Sequence, residues 1–342
     1  MARRSQRFGS IDEVFALLRA DTPPNSFFPD LDEHAYEWIT NGDCAQLVPA
    51  LAHPFLYRGQ AARYVPCFPT AFRGLTPVDH PRKLTGAECA KCLLRRVRLE
   101  EFLCVLASHP ASAFARNLPL VTYPEAIAQH YEMPTDRIDL SQDLEVAAFF
   151  ATNVRRSDGR WYAMQDGIGV LYRLGIPTDA LASPFKGFEW IGRQALPRPG
   201  EQRAWTLRLP LGRDFESLPV DIFIFDHHPE CGHRLAEKYN GGQTLFPPDI
   251  LTVLAEEIRS TPRVSRAILN RVLTGYGLPA KRCQSEMNTI ELCFQNQFGV
   301  SVTDRDVLSF SPEQLVVAQE VTARLVNDFK GTVRAVRAHR PP

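Results

Sequence analysis

The middle of the chain contains short apolar runs separated by glycine, proline and charged residues, which is the pattern of β-strands joined by turns. The runs are rich in isoleucine, valine, leucine and aromatic residues, and these residue types favour strands. Glycine or proline near their ends stops them. We predict strands at residues 55–57, 168–174, 204–209 and 221–225.

A second pattern, apolar residues spaced three or four positions apart, predicts helices. In residues 86–109 this spacing includes Leu94, Val97 and Phe102. Residues 143–153 are rich in alanine and phenylalanine, which predicts a buried helix. The remaining predicted helices are at residues 10–20, 31–40, 124–130 and 233–239, in a segment ending near 258, and at residues 263–275, 284–297 and 312–336.

Strands and helices are interspersed up to about residue 260, and only helices are predicted beyond it. A chain of 342 residues is long enough for two domains, or for one domain with extensions. We therefore predict a mixed α+β domain at residues 49–260, preceded by a helical segment at residues 1–48. A helical C-terminal extension is predicted at residues 261–342.

Composition narrows the class of protein without indicating a partner. Hydrophobic residues make up 44% of the chain and charged residues 23%, as in soluble globular proteins. Basic and acidic residues balance at 39 each, so net charge does not point to nucleic acid. Any anionic ligand must therefore be bound by local groups.

The sequence favours a cytoplasmic protein that does not contact a membrane. No apolar run approaches the roughly 20 residues needed to cross a bilayer. Residues 10–13 resemble a helix capping box and not the apolar core of a signal peptide. The eight cysteines lack the spacing of a small disulfide scaffold, which favours reduced thiols.

Residues 130–141, which read HYEMPTDRIDLS, are the most informative stretch. They are polar, contain one proline and run directly into the Ala- and Phe-rich helix. Polar side chains held beside an apolar helix are typical of a binding site. Two further polar segments, YRGQ at residues 57–60 and RPGEQ at residues 198–202, extend the candidate site.

These segments together resemble the FRG domain, whose aromatic-Arg-Gly motif is reproduced by residues 57–59. The resemblance covers about residues 50–258 and includes the segments 69–73, 198–204 and 245–249. In the family's central motif the matching residues are His130, Tyr131, Pro134, Thr135 and Asp139, with Ser141 in place of a threonine. The departures from the motif are Glu132 for a glycine, Asp136 for an arginine, Arg137 for a leucine and Leu140 for a tryptophan.

The same pattern is more distantly similar to the ADP-ribosyltransferase fold. That fold places an Arg or His at the end of an early strand, a Ser/Thr segment before a helix, and a Glu or Gln on a late strand. Arg58, Ser141 and the pair Glu201/Gln202 occur in this order. The resemblance implies a central split, antiparallel sheet and implies NAD as the substrate, with no metal.

Each predicted site residue then has a chemical role. The guanidinium of Arg58 would bind the pyrophosphate of NAD, with Gly59 allowing close approach of the ligand. Glu201 or Gln202 would stabilise the positive charge that develops on the ribose. Tyr131 would stack on the nicotinamide, and His130 would bind the ribose or deprotonate an acceptor. The remaining predicted cofactor-binding residues are Thr135, Asp139 and Ser141.

Structural roles remain open for the same residues. Arg58 can pair with Asp139 and hold a loop. His130 can cap its helix, and Ser141 can start the next helix. Glu201 and Gln202 can be solvated turn residues. A denser cluster in residues 227–233 (His227, His228, Cys231 and His233) is more typical of a loop than of a metal site.

Three functions are therefore compatible with the sequence. The first is an ADP-ribosyltransferase-like enzyme that modifies a macromolecule, either protein or nucleic acid, in the setting of a bacterial toxin or an anti-phage effector. The second is a module that binds a nucleotide or nucleic acid without turnover. The third is an interaction protein that works through residues 261–342.

Overall fold

The computed structural model describes residues 5–21, 36–41, 44–49, 55–118, 120–176, 188–191, 194, 196–276 and 280–338. The strands in these residues are β1 (Ser5–Phe8), β2 (Tyr36–Asn41), β3 (Cys44–Pro49), β4 (Phe55–Gln60), β5 (Arg137–Ser141), β6 (Asn153–Arg155), β7 (Trp161–Ala163), β8 (Ile168–Gly175), β9 (Phe188–Trp190), β10 (Ala204–Arg208), β11 (Val220–Asp226), β12 (Arg263–Ser265), β13 (Ser301–Thr303) and β14 (Val333–Ala338). The α-helices are α1 (Ile11–Asp21), α2 (Gly86–Ser108), α3 (Pro110–Asn117), α4 (Pro124–Gln129), α5 (Leu144–Thr152), α6 (Pro197–Glu201), α7 (Pro229–Lys238), α8 (Ile250–Ser260), α9 (Arg266–Gly275), α10 (Ala280–Phe298) and α11 (Pro312–Thr332).

The largest sheet has seven strands in the order β1-β11-β8-β4-β5-β10-β9. Neighbouring strands run antiparallel, except that β1 lies parallel to β11. The predicted mixed α+β class with an antiparallel sheet is therefore confirmed. All four predicted central strands are present as β4, β8, β10 and β11.

This sheet opens between its middle strand, β4, and the neighbouring strand β5. Strand β4 pairs with β8 from Phe55 to Gln60, but it pairs with β5 only at Tyr57 and Ser141. Beyond that pair the Nη1 atom of Arg58 donates a hydrogen bond to the backbone carbonyl of Asp139 over 2.8 Å. A side chain thus takes the place of a strand-to-strand bond, and the opening leaves room for a cavity.

Helix α5 lies directly on β4, and Gly59 makes this packing possible. A Cβ atom on Gly59 would lie 1.7 Å from the carbonyl oxygen of Ala147 and 2.7 Å from the backbone nitrogen of Ala151. Only glycine permits such contact between backbones. The sequence predicts that Gly59 allows close approach of a ligand. In the structure, the missing Cβ atom of Gly59 allows close approach of α5.

The burial of α5 follows from its composition. Residues 146–149 and Ala151 are almost completely buried and belong to a core with α1, α7 and the sheet. A helix that is apolar on all sides must be buried. Asp143 caps the helix, since its Oδ1 accepts hydrogen bonds from the backbone N–H groups of Glu145 and Val146.

Several predicted elements differ in the structure. Residues 36–40, predicted as helix, belong to strand β2, while residues 31–35 of the same prediction lie outside the described residues. Strand β5 was not predicted. Within the predicted helices of the C-terminal region, β12 and β14 are strands. β2, β12 and β14 each pair with a distant segment, which local spacing does not reveal.

The domain boundaries at residues 48 and 260 stay predictions. The described residues show contacts across both positions, because β1 pairs with β11 and α2 packs against α9 and α10. Among the described helices, none has both the length and the apolar character that crossing a bilayer requires.

Candidate functional site

A cavity of about 320 Å³, here called the polar cavity, lies at the opening between β4 and β5. Helix α5 forms its floor, and the segment that follows α4 forms one side. Its lining residues are Tyr57, Arg58, Gly59, Gln129, His130, Glu132, Asp139, Leu140, Ser141, Ala147, Phe150, Asn153, Val154, Arg155, Trp161, Gln202 and Phe246.

Most of the site residues predicted from the sequence line this cavity, although they come from three distant segments. The early strand supplies one group, the 130–141 segment a second, and the turn before β10 the third. The predicted site residues in the lining are Arg58, Gly59, His130, Asp139, Ser141 and Gln202.

Three predicted site residues lie elsewhere. The Tyr131 ring is buried, its hydroxyl donates to the carboxylate of Asp249, and the guanidinium of Arg198 lies 4.6 Å from its centroid. It therefore does not offer a face for stacking on a ligand in the polar cavity. Thr135 lines a different cavity, and Glu201 is exposed at the end of α6.

Gln202 fixes the tautomer of His130. The amide nitrogen of Gln202 donates to the carbonyl of Leu245 over 2.9 Å, and this orients its Oε1 towards His130. The Nδ1 atom of His130 lies 2.9 Å from that oxygen and must donate a proton to it. The lone pair of a neutral His130 is therefore on Nε2.

Burial keeps His130 neutral. Its side chain is 4% exposed, and loss of solvation lowers its pKa below the ordinary histidine value, despite the opposing charge of Asp139. The buried Nε2 has no hydrogen-bond partner among the described residues. His130 thus presents an unprotonated nitrogen that can accept a hydrogen bond or a proton.

Ser141 ties the late turn to the sheet. Its hydroxyl donates to the carbonyl of Gln202 over 2.8 Å and accepts from the backbone N–H of Asp143 over 3.0 Å. It lies on β5 and is not the N-cap of α5, because Asp143 has that role. The alternative that Ser141 starts this helix is wrong.

Four residues of the lining each have a buried polar atom without a hydrogen-bond partner in the described part of the chain. They are Arg58 at Nε, His130 at Nε2, Asp139 at Oδ1 and Asn153 at Oδ1. Buried polar atoms without partners are costly and rare, so their convergence on one cavity indicates a ligand-binding site. One of the four is a donor and three are acceptors.

An aromatic wall faces these polar atoms. The rings of Trp161 and Phe246 stack at 5.2 Å with an angle of 28°, and Phe150 packs edge-on against both. Such a surface suits a flat aromatic group. The sequence did not indicate Trp161 or Asn153 as site residues, and Phe246 was noted only within the segment 245–249.

The departures from the family motif take different positions. Asp136 lines the cavity that contains Thr135, where it pairs with Arg137 and Arg208, so its charge is already compensated. Glu132 lines the polar cavity and pairs with Arg155 and Arg259. Asp136 thus lies outside the polar cavity, whereas Glu132 places a carboxylate, paired with two arginines, in its lining.

Two histidines of the cluster at residues 227–233 contact backbone carbonyls. His227 and His228 contact the carbonyls of Ala61 and Gly9, 2.8 and 2.9 Å away. Throughout the described ranges, no group of three His, Cys, Asp or Glu side chains is arranged to hold a metal ion.

The fold and cavity thus define a mixed α+β domain with a polar site at the opening of its sheet. Residues 53–160 match the FRG domain, so the chain contains an FRG domain in this range. This confirms the resemblance over β4, the 130–141 segment and α5, while the segments 198–204 and 245–249 lie beyond the match. No curated protein and no solved structure matches the chain.

Proposed function

We propose that the polar cavity binds the nicotinamide riboside half of NAD and that the chain transfers ADP-ribose from NAD to a macromolecule. The observation that supports this most strongly is the set of unpartnered polar atoms in the cavity. Ribose hydroxyls and the nicotinamide amide are donors that suit the acceptors on His130, Asp139 and Asn153. The donor on Arg58 suits an anionic or carbonyl oxygen.

The aromatic wall suits the remaining part of this ligand. A nicotinamide ring is flat, and Trp161 with Phe246 offers flat apolar area beside the polar atoms. Ligand sites commonly combine an apolar lining with a few convergent polar groups. The cavity therefore fits a nucleoside better than it fits a purely apolar or purely ionic ligand.

Asp139 is the carboxylate that we assign to the reaction. Glu201 lies outside the cavity, and both ends of the Gln202 amide are already bonded to protein groups. The bond between ribose and nicotinamide breaks with its electron pair leaving on nicotinamide, which builds positive charge on the ribose. A carboxylate beside the ribose stabilises that charge.

His130 has the position for the second part of the reaction. The nucleophile of the acceptor forms the new bond to the ribose carbon and releases a proton. The unprotonated Nε2 of His130 can take that proton. In this proposal His130 keeps its role as the base. Asp139 takes the charge-stabilising role that the sequence analysis gave to Glu201 or Gln202.

Incubation with NAD labelled in its adenylate half, together with cell extract, tests this function. We expect a labelled macromolecule and an equal amount of released nicotinamide. Asp139→Asn keeps the shape of the side chain and removes its charge, so it should slow transfer by about 100-fold while NAD still binds. Asp306→Asn, an exposed site away from the cavity, is the matched control.

The binding module is the competing function, and it is favoured by the immobilised Gln202 amide. It predicts that calorimetry detects NAD binding while the ligand stays chemically unchanged after long incubation. Absence of both binding and labelling would refute the NAD proposal altogether.

A further inference from the structure

A second cavity of about 330 Å³, here called the adjoining cavity, lies next to the polar cavity. The two share Arg155, Trp161 and Phe246, so the stacked aromatic pair forms the wall between them. Its lining also includes Arg198, Asp249 and Thr252. Arg155 also lines both cavities and therefore lies at their junction.

Arg155 is the cationic group at this junction. Its Nε donates to the carbonyl of Gly159 over 3.1 Å, which directs the guanidinium, and the guanidinium pairs with the carboxylate of Glu132. The side chains of Arg155 and Glu132 are 32% and 46% exposed. Ion pairs at this level of exposure contribute little to stability, so a stronger anion can replace the carboxylate.

Glu132 has an unfavourable backbone conformation. Its φ angle is 62°, in the left-handed region that suits glycine and is strained for a residue with a long side chain. In this position its carboxylate pairs with Arg155 and, over 3.0 Å, with Arg259 of α8. Strain of this kind tends to occur at functional sites.

A buried cation adds to the positive character of the adjoining cavity. Arg198 lines it and is 4% exposed, and its Nε has no hydrogen-bond partner within the part of the chain that the structure describes. Its two other nitrogens donate to the carbonyl of His130 and to the hydroxyl of Thr252. The facing carboxylate of Asp249 already accepts from the hydroxyl of Tyr131 and from a backbone N–H.

We infer that Arg155 binds the diphosphate of a dinucleotide that spans both cavities, and that Glu132 competes with this diphosphate for the guanidinium. The inference rests on the proposed function, which places nicotinamide riboside in the polar cavity. The adenosine half then lies in the adjoining cavity. Arginine binds carboxylate and phosphate alike through charge-assisted hydrogen bonds. The diphosphate of a dinucleotide carries two negative charges and the carboxylate of Glu132 only one, so the diphosphate attracts the guanidinium more strongly.

Calorimetry on the full chain, without an acceptor, compares NAD with nicotinamide riboside, which lacks both the diphosphate and the adenosine. A charge change at Arg155 or Glu132 that alters only NAD binding therefore acts on the half of the ligand that carries the diphosphate. We expect Arg155→Gln to weaken NAD binding about tenfold, and Glu132→Gln to strengthen it by up to about tenfold. Neither variant should change the affinity for nicotinamide riboside.

Two further variants serve as controls. Glu132→Gly is compared with Glu132→Gln, which removes the charge but keeps the backbone strain. Glu132→Gly removes both the charge and the strain, so it should strengthen NAD binding as Glu132→Gln does and should not lower the melting temperature. Glu256→Gln removes a carboxylate that pairs with Arg259 outside the cavities, and it should leave both affinities unchanged.

The possible results are distinct. If wild-type protein binds nicotinamide riboside while Arg155→Gln and Glu132→Gln leave NAD affinity unchanged, the inference is overturned and the proposed function stands. Weaker NAD binding by Glu132→Gln also overturns it, because Glu132 would then contact the ligand favourably. If the wild-type protein binds neither compound, both proposals fail together.

Discussion

His130 and Gln202 are 72 positions apart in the chain, yet the Nδ1 atom of His130 lies 2.9 Å from the Oε1 atom of Gln202. The other end of the amide donates to the carbonyl of Leu245. One buried side chain therefore joins the segment after α4, the turn before β10 and the segment before α8. It also determines which nitrogen of His130 is available in the polar cavity.

Replacing this amide should destabilise the fold. Gln202→Ala leaves the Nδ1–H of His130 and the carbonyl of Leu245 buried without partners, which we expect to cost about 3 kcal/mol in the free energy of unfolding. Urea denaturation measures the change. Gln243→Ala, at an exposed position, should change the same quantity by less than about 0.5 kcal/mol. Equal effects of the two substitutions would contradict the bridging role of Gln202.

Gly59 offers a second test of the site's construction. Gly59→Ala places a methyl group against the backbone of α5, and neither β4 nor α5 can move without opening the core. We expect a loss of about 3 kcal/mol in the free energy of unfolding. Gly175→Ala lies on β8, where an added Cβ meets nothing within 4 Å, and serves as the matched control. A stable Gly59→Ala protein would show that β4 and α5 can move apart without cost to the core.

The sequence predicts those parts of the molecule that depend on local patterns. The spacing in residues 86–109 corresponds to α2, and the apolar composition of residues 143–153 corresponds to α5. The polar cavity also contains Arg58 and His130, two residues that the order of the motifs along the chain predicts to share one site.

The remaining features depend on contacts between distant segments. Trp161 comes from a short strand with no motif, and its contacts with the rings of Phe150 and Phe246 place it in the site. Tyr131 matches the motif, but its neighbours Arg198 and Asp249 hold it in the core. The local sequence does not reveal these contacts, because Arg198 and Asp249 are distant from Tyr131 in the chain.

Stability should depend on pH because His130 and His109 are buried. Burial lowers the pKa of both in the folded chain, below the value of about 6.5 expected in the unfolded chain. As the pH falls below about 6.5, the unfolded state takes up protons that the folded state does not. The free energy of unfolding should therefore decrease as the pH falls, by up to about 1.4 kcal/mol per pH unit for each histidine.

Urea denaturation between pH 7 and pH 5 measures this slope, in a range above the titration of most carboxylates. His130→Gln removes one titrating group and should reduce the slope by up to one proton, and His109→Gln should do the same. A slope that neither substitution changes would mean that other groups control the pH dependence.

Arg137 and Arg208 both pair with Asp136, but their surroundings differ. Arg137 is 7% exposed at its side chain and also pairs with Glu125 and Glu189, which raise its pKa. Arg137→Met removes the cation beside Glu189, whereas Glu125 keeps Arg96 as a partner. We therefore expect a loss of about 3 kcal/mol in the free energy of unfolding, the lower end of the range for a buried pair. Arg208 is 59% exposed, and Arg208→Met should cost less than about 1 kcal/mol.

Because β5 carries both Arg137 and Asp139, loss of Arg137 should also weaken ligand binding in the polar cavity, and calorimetry with NAD below the melting temperature would detect it. Unchanged stability in Arg137→Met would show that the carboxylates do not depend on this guanidinium.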